Sequence, residues 1–459
     1  LKIRFCGAAR TVTGSMHLLD TGREKVLMDC GIFQGPREES EEKNRQFLFN
    51  PKEISTTLLS HAHLDHSGNL PSLVKQGFEG PIMATRATCD LCQVMLRDSA
   101  HIQEADIVFV NKRRRQQGLP PKEPLYTLED AEQAISRFVS VDYDQPVEVA
   151  GLRATYRDAG HILGSAMILL EDESGRALAF SGDLGRKGLP ILRDPFLLEG
   201  ADTLLLESTY GNKVHEPIEE TVAKFETVLR TAIEKRGKIV IPAFAVGRSQ
   251  EIVYELHHLI RDGRIPSIPT YVDSPLSLNA TEIFKRHPEC YDEETKHLID
   301  EHEDPLGFAR LQYIRSVEES KALNEQEGPM IIISASGMCE GGRILHHLAN
   351  TIGDPRNTIL IVGFQAEGTL GKKLVDQETR VKIYGEEYQR RAPVVVLNGF
   401  SAHADRNDLL GFVSGMKRKP GRIFVVHGNE EQSQALEEGL RSLGLPDVCR
   451  PRRGEEASW

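Results

Sequence analysis

Residues 56–66 read TTLLSHAHLDH, an apolar, β-branched run that ends abruptly in His61, His63, Asp65 and His66. A short apolar stretch of this kind reads as a buried strand, and a strand that empties into polar residues is how α/β proteins present chemistry. On an extended strand end, side chains two apart point the same way. Neutral imidazole and carboxylate are the ligands that zinc and similar divalent ions prefer. The four groups are therefore read as metal ligands, although any one histidine alone reads as an ordinary core or surface residue. A metal needs three or four protein ligands, so partners must come from elsewhere. The sequence offers His161 in DAGHILGSA, Asp183 in AFSGDLG and His427 in VVHGNE, each at the end of an apolar run and each, taken singly, no more than a turn former.

Length sets the frame. A chain of 459 residues exceeds one typical core, which predicts two domains. With 39% hydrophobic and 27% charged residues it has the composition of a soluble globular protein. No apolar run approaches the roughly 18 residues of a membrane span, and the first residues, LKIRFCGAA, read as a strand, so a cytoplasmic protein without membrane contact is expected. Seven scattered cysteines give no disulfide framework, and the single CxxC, Cys89 and Cys92, falls in a helical pattern with no second pair to make a zinc site. A net charge of −12 excludes a protein that coats nucleic acid with its whole surface, but leaves room for a local cationic groove. NKRRR (111–115) and RPRR (450–453) are the visible basic clusters.

Along the chain, KIRFCGA, SMHLLDT and KVLMDCG alternate as a meander, and ISTTLLSHAH continues as a strand before the short helix GNLPSLVKQGF. Residues 85–138 read as mainly helical with a break at GLPPKEP. Strands resume through GLRATYRDAGH, SAMILLED, ALAFSGDLG and TLLLESTYG, the last ending near Glu207. From about residue 217 the pattern becomes repeated βα units, as in a doubly wound domain, before strands and helices with histidines at their ends return in VVVLNGFSAHAD and RIFVVHGNEE.

HAHLDH followed by distant His, Asp and His resembles the metallo-β-lactamase superfamily, and the resemblance covers nearly the whole chain. It implies an αββα sandwich with a dinuclear zinc site: His61, His63 and His161 on one ion, Asp65, His66 and His427 on the other, Asp183 bridging, and Asp29 orienting the site. The segments ESTYG, IPAFAVGRSQE, YVDSPLS, SASGMCEGGR and FSAHADR resemble the β-CASP branch of nucleic-acid-processing enzymes. The expected architecture is a first metallo-β-lactamase part over 1–209, a doubly wound β-CASP domain inserted over 210–372, and a second metallo-β-lactamase part over 373–459. Within that branch Glu207 matches motif A, His403 motif B and His427 motif C, where a histidine accompanies RNA substrates.

The expectation that follows is a ribonuclease with two zinc ions, acting on single-stranded RNA between the domains. Asp65, Glu207 and His403 carry the catalysis, with His403 as a proton donor for the departing 3′ oxygen. The glycine-rich SASGMCEGGR follows an apolar strand and precedes a helix, so Ser336 and Gly337, with Arg248 and Arg343 as cations, are the candidate phosphate site. Two other classes stay open: a small-molecule metallo-hydrolase and a non-catalytic subunit of an RNA-processing complex. A homodimer is possible on sequence grounds, residues 85–145 match no family motif, and no further domain is expected before Leu1 or after Trp459.

Overall fold

In the computed structural model, which describes residues 1–35, 37–366 and 368–459, the alternating amino-terminal segment forms three antiparallel strands, β1 (Lys2–Phe5), β2 (His17–Asp20) and β3 (Lys25–Met28). Parallel additions follow: β4 (Ile54–Leu58), which carries the HAHLDH stretch at its end, then β5 (Ile82–Thr85) and β6 (Phe138–Val141). A second sheet begins with β7 (Val147–Val149), β8 (Leu152–Asp158), β9 (Ala166–Glu171), β10 (Ala177–Phe180) and β11 (Thr203–Glu207). The chain then leaves this unit. A separate sheet contains β12 (Lys238–Pro242), β13 (Thr270–Val272), β14 (Leu311–Tyr313), β15 (Met330–Ser334) and β16 (Thr358–Ile361). A hairpin of β17 (Arg380–Ile383) and β18 (Glu386–Gln389) precedes that sheet's last strand, β19 (Val394–Val396). Finally β20 (Arg422–Val426), β21 (Val448–Cys449) and β22 (Glu456–Ser458) rejoin the first unit.

Two units result. One comprises Leu1–Lys187, Asp194–Val214 and His403–Trp459; the other comprises Gly188–Arg193 and His215–Ala402. The first holds two seven-stranded sheets, ordered β22-β1-β2-β3-β4-β5-β6 and β21-β20-β11-β10-β9-β8-β7. Their facing side chains, among them Phe5, Leu19 and Met28 from one sheet and Tyr156, Ile168, Phe180 and Phe424 from the other, form a single dry core. The outer face of the second sheet buries Leu204, Leu206 and Val425 against the helices Arg406–Gly415 and Glu430–Ser442. The helix Arg86–Gln116 covers β5 and β6 of the first sheet, completing the αββα sandwich.

The second unit is a six-stranded parallel sheet, β14-β13-β15-β12-β16-β19. One face packs on the helices Ile218–Glu234 and Arg248–Arg261, the other on Arg343–Thr351 and Leu370–Val375, which is doubly wound packing. The sequence pattern places the return to the first domain at residue 373. The chain returns at His403, because β19 pairs with β16 and so extends the parallel sheet as its edge. Among the described residues no helix is long and apolar enough to cross a membrane.

Phe180 is 1% exposed and lies in the layer between the two sheets of the first unit. Truncation there loses both transfer energy and packing, so Phe180→Ala should destabilise this unit by about 3–5 kcal/mol. Chemical denaturation followed by far-ultraviolet circular dichroism measures it.

Candidate metal centre

All the metal-ligand candidates lie in the first unit. β4 ends at Leu58, and the chain then turns through His61 and His63 into the short helix Leu64–Ser67, which carries Asp65 and His66. The segments that precede β2 and follow β3 grip this helix. Ser15 N donates to Asp65 O, Cys30 N to His66 O and Ile32 N to Leu64 O, at 2.7, 2.7 and 2.9 Å. Gly31 is required for the approach, because a Cβ there would stand 1.7 Å from the Asp65 carbonyl oxygen. His161 lies in the loop between β8 and β9, with its backbone N–H on Ser165 Oγ at 3.0 Å. Asp183 follows β10, and His427 follows β20, its N–H on Ala8 O at 2.7 Å.

Two groups of donor atoms converge. His63 Nδ1 stands 3.1 Å from His61 Nε2 and 3.2 Å from His161 Nε2, and Asp183 Oδ2 is 3.5 and 3.6 Å from those two Nε2 atoms. In the second group His66 Nε2 is 3.1 Å from His427 Nε2, which is 3.4 Å from Asp65 Oδ2. The other Asp183 oxygen, Oδ1, lies 3.3 Å from His66 Nε2 and 3.2 Å from His427 Nδ1. Four-coordinate zinc with ligands at 2.0–2.1 Å separates its donor atoms by about 3.3 Å, and the spacing here matches that figure. The chemistry also matches. Three imidazole nitrogens facing one point cannot all be satisfied by one another's single N–H, and Asp183 Oδ1 has no hydrogen-bond donor among the described residues. The residues present therefore fit a divalent cation.

Electrostatics point the same way. Burial holds His61 and His161 well below the ordinary imidazole pKa and brings His63 to about 4, so all three are neutral and able to donate lone pairs. Burial opposes a charge on His66 too, but the carboxylates of Asp183 and Asp29 beside it hold its pKa well above the usual value. Burial also pushes Asp65 and Asp183 up, yet His427 and His66 bring both well below the usual carboxylate range. A proton on His66 is what these carboxylates attract, and a cation answers the same demand.

The surrounding polar groups fix the rings. Asp29 Oδ2 meets His66 Nδ1 at 2.6 Å and accepts from Ser15 Oγ at 2.9 Å and Ser60 Oγ at 3.0 Å, while Asp29 Oδ1 accepts from Ser60 N at 2.8 Å. Thr209 Oγ1 meets His427 Nδ1 at 3.0 Å, and Ser60 Oγ meets His61 Nδ1 at 3.1 Å. Sequence reasoning passed over Ser15, Ser60 and Thr209. The only signal is that Ser60 precedes His61 and that Thr209 lies within ESTYG, and a hydroxyl residue does not by itself advertise a role there.

Beside the metal groups, His403 Nδ1 is 3.3 Å from Glu207 Oε1 and 3.9 Å from Asp183 Oδ2. Its ring centroid lies 4.4 Å from that of His161. Glu207 is fully buried at the end of β11 and is itself held by Leu184 N at 2.7 Å and Thr209 N at 3.2 Å. Burial works against a charge on His403, but Glu207 raises its pKa to about 9.

The phosphate-site candidates belong to the second unit. Arg248 is buried, pairs with Glu251 and lies over the Phe400 ring. Arg343 donates to Asp273 Oδ1 at 2.6 Å and to Arg315 O at 2.8 Å. Ser336 Oγ accepts from Glu340 N at 3.0 Å, and Gly337 packs so closely on Phe244 that a Cβ would meet its ring at 3.0 Å. Cys89 and Cys92 are buried thiols in the helix Arg86–Gln116, and burial lifts the first to about 12 and the second well above its usual value.

Comparison with known proteins adds three matches along the chain. Residues 9–243 match the metallo-beta-lactamase superfamily, 249–374 the Beta-Casp domain, and 387–448 the Zn-dependent metallo-hydrolase RNA specificity domain. Ribonuclease TTHA0252 of Thermus thermophilus is 39% identical over 449 residues, covering 98% of each chain. The transcription termination factor FttA of Methanosarcina mazei is 31% identical, covering 94% of this chain and 67% of that one. FttA of Methanocaldococcus jannaschii is 30% identical over 96% of this chain and 69% of its own length. A solved structure of a protein of unknown function from Enterococcus faecalis matches in fold, with a TM-score of 0.55, 13% identity and 99% coverage of both chains.

Two substitutions test the architecture of the centre. Asp29→Ala leaves the ligands in place but removes the carboxylate that orients His66, and metal affinity should fall about 10–100-fold. Gly31→Ala forces the Asp65 carbonyl to move and should lower metal content in a chain that still folds. Metal titration with thermal melting measures both.

Proposed function

The chain belongs to the metallo-β-lactamase superfamily and carries its Beta-Casp domain, and on that footing we propose that it is a ribonuclease that hydrolyses phosphodiester bonds of single-stranded RNA with two zinc ions, in RNA processing or decay. The observation that carries the reading is Asp183, whose two carboxylate oxygens face two separate groups of donors, His61, His63 and His161 on one side and Asp65, His66 and His427 on the other. The relatives support RNA as the substrate, since one is named a ribonuclease, two are named transcription termination factors, and the carboxy-terminal match is to an RNA specificity domain.

The chemistry that a bound pair of divalent ions supplies is activation of water and neutralisation of charge on a phosphoryl group. The remaining work falls to the chain. His61, His66, His161 and Asp183 are at most 1% exposed, so the reaction takes place against a wall that admits little water. Glu207 holds His403 at Nδ1 and fixes the ring, and His403 delivers a proton to the departing 3′ oxygen. In the second unit Ser336 and Gly337 meet the RNA backbone with Arg248 and Arg343 as the cations beside them, each arginine held in place by a carboxylate, Glu251 and Asp273 respectively.

Purified protein should degrade single-stranded RNA and contain two zinc ions per chain by elemental analysis. Asp65→Ala or chelation should abolish the activity. His403→Ala should lower kcat about 10²–10⁴-fold with metal content unchanged. Activity that survives Asp65→Ala would sink the assignment, and turnover of nitrocefin or a thioester in place of RNA would transfer the site to small-molecule hydrolysis. RNA labelled at either end, bearing a 5′-monophosphate or a 5′-hydroxyl, then separates exonuclease from endonuclease action.

A further inference from the structure

The helix Arg86–Gln116 contributes its first half to the core, and its last buried residue is Ala100. Beyond that point one side of the helix is backed by the returning chain. Asn111 Nδ2 donates to Lys122 O and Asn111 Oδ1 accepts from Lys122 N, both at 2.8 Å, and Arg114 Nε donates to Pro120 O at 2.7 Å. Lys122 in turn pairs with Glu41 at 2.8 Å. Among the described residues the opposite side has no such backing. Phe109 is 69% exposed, Val108 68% and Ile102 55%, and the first two exceed every other exposed large hydrophobic among the described residues.

At 100° per residue, Ile102, Ala105, Phe109, Lys112 and Arg113 fall within about 60° of one line along the helix; Val108 and Arg115 lie about 90° and 110° from it on one flank, and Asp106 about 70° from it on the other. All eight are exposed. Between Asn111 and Lys122 the sequence NKRRRQQGLPPK carries five cations and no carboxylate, in a chain whose net charge is −12. Cations in a last helical turn are ordinary complements to the helix dipole. That accounts for one or two of them, but not for an aromatic ring and two branched aliphatic side chains left in water one and two turns earlier.

We propose that this face is an accessory site for single-stranded RNA, in which Phe109 stacks on a base, flanked by Ile102 and Val108, while Lys112, Arg113 and Arg115 contact the phosphates that follow. The proposal rests on the ribonuclease reading. An exposed aromatic beside cations is the sequence-tolerant recognition that single strands use, because every base has a π-face and every nucleotide a charge. The face runs about 16 Å from Ile102 to Arg113, long enough for several nucleotides. Charge decides between occupants: a second copy docking the same face would bring these cations against its own, whereas RNA neutralises them. The site is built from the first unit alone, and none of its residues belongs to the metal centre.

The test is binding of fluorescent oligouridylates of 6 and 30 nucleotides to the full chain, in chelator so that no cleavage intervenes. Phe109→Ala and the triple variant Lys112→Ala, Arg113→Ala, Arg115→Ala are compared with the unmodified protein, and thermal melting verifies their fold. Each variant should weaken binding of the 30-mer by about tenfold and that of the 6-mer far less. The triple variant should also lower the slope of log affinity against log salt by about 2. Unchanged 30-mer affinity in both variants, with the parent binding RNA, overturns this inference and leaves the ribonuclease reading intact. Self-association of the parent that Phe109→Ala abolishes overturns it in favour of a second copy. A parent that binds neither oligomer in chelator also overturns this inference, since the face needs no metal, while RNA degradation by the metal-loaded protein decides the ribonuclease reading separately.

Discussion

The Asp183 carboxylate lies within 3.6 Å of nitrogens from four imidazoles, His61, His66, His161 and His427, in a volume almost closed to solvent. A charge so placed is expensive unless something answers it. The surroundings are arranged to keep it there. β10 delivers the loop, and Gly182 takes the left-handed conformation at φ 53° against Ser60. Gly185 permits an approach that would put a Cβ 1.8 Å from Gly160 O, one residue from His161. The carboxylate thereby ties the end of the second sheet to the histidines at the end of the first.

Three of the left-handed non-glycine residues stand at the same place. Asp29 at φ 58°, Ala8 at 44° and His427 at 50° all adopt left-handed conformations that L-residues avoid. Ala8 accepts the His427 N–H, and Asp29 holds the His66 ring, so these three residues each supply or position a donor of the second group. The cost is borne by the two-sheet core beneath, where Phe5, Phe180 and Phe424 are packed without solvent.

Much of this was legible before any fold was known. His61, His63, Asp65 and His66 are close in sequence because one strand end supplies them, and a pattern compressed into six positions survives reading by eye. His161, Asp183 and His427 were visible only as glycine-flanked residues at strand ends, and resemblance to a family joined them. The role of the hydroxyls of Ser15, Ser60 and Thr209 was not legible even where they stand in or beside a motif, since hydrogen-bonding to a ligand leaves no spacing. The engagement of Arg248 with Glu251 and of Arg343 with Asp273 was hidden for a similar reason: the second pair is brought together by the parallel sheet from 70 residues apart. VVVLNG reads as a strand in any context, and only its pairing with β16 decides to which sheet it belongs.

The first unit is interrupted by the second, and this has a consequence for the order of events during synthesis. β20 lies beside β11 in its sheet, and β22 covers β1 in the other, so both sheets wait for strands made after the insertion. His403 and His427 arrive with them. The set of donors at the centre is therefore complete only after the insertion has been translated in full, so the first unit cannot close its sheets or its centre in the order in which its strands are made.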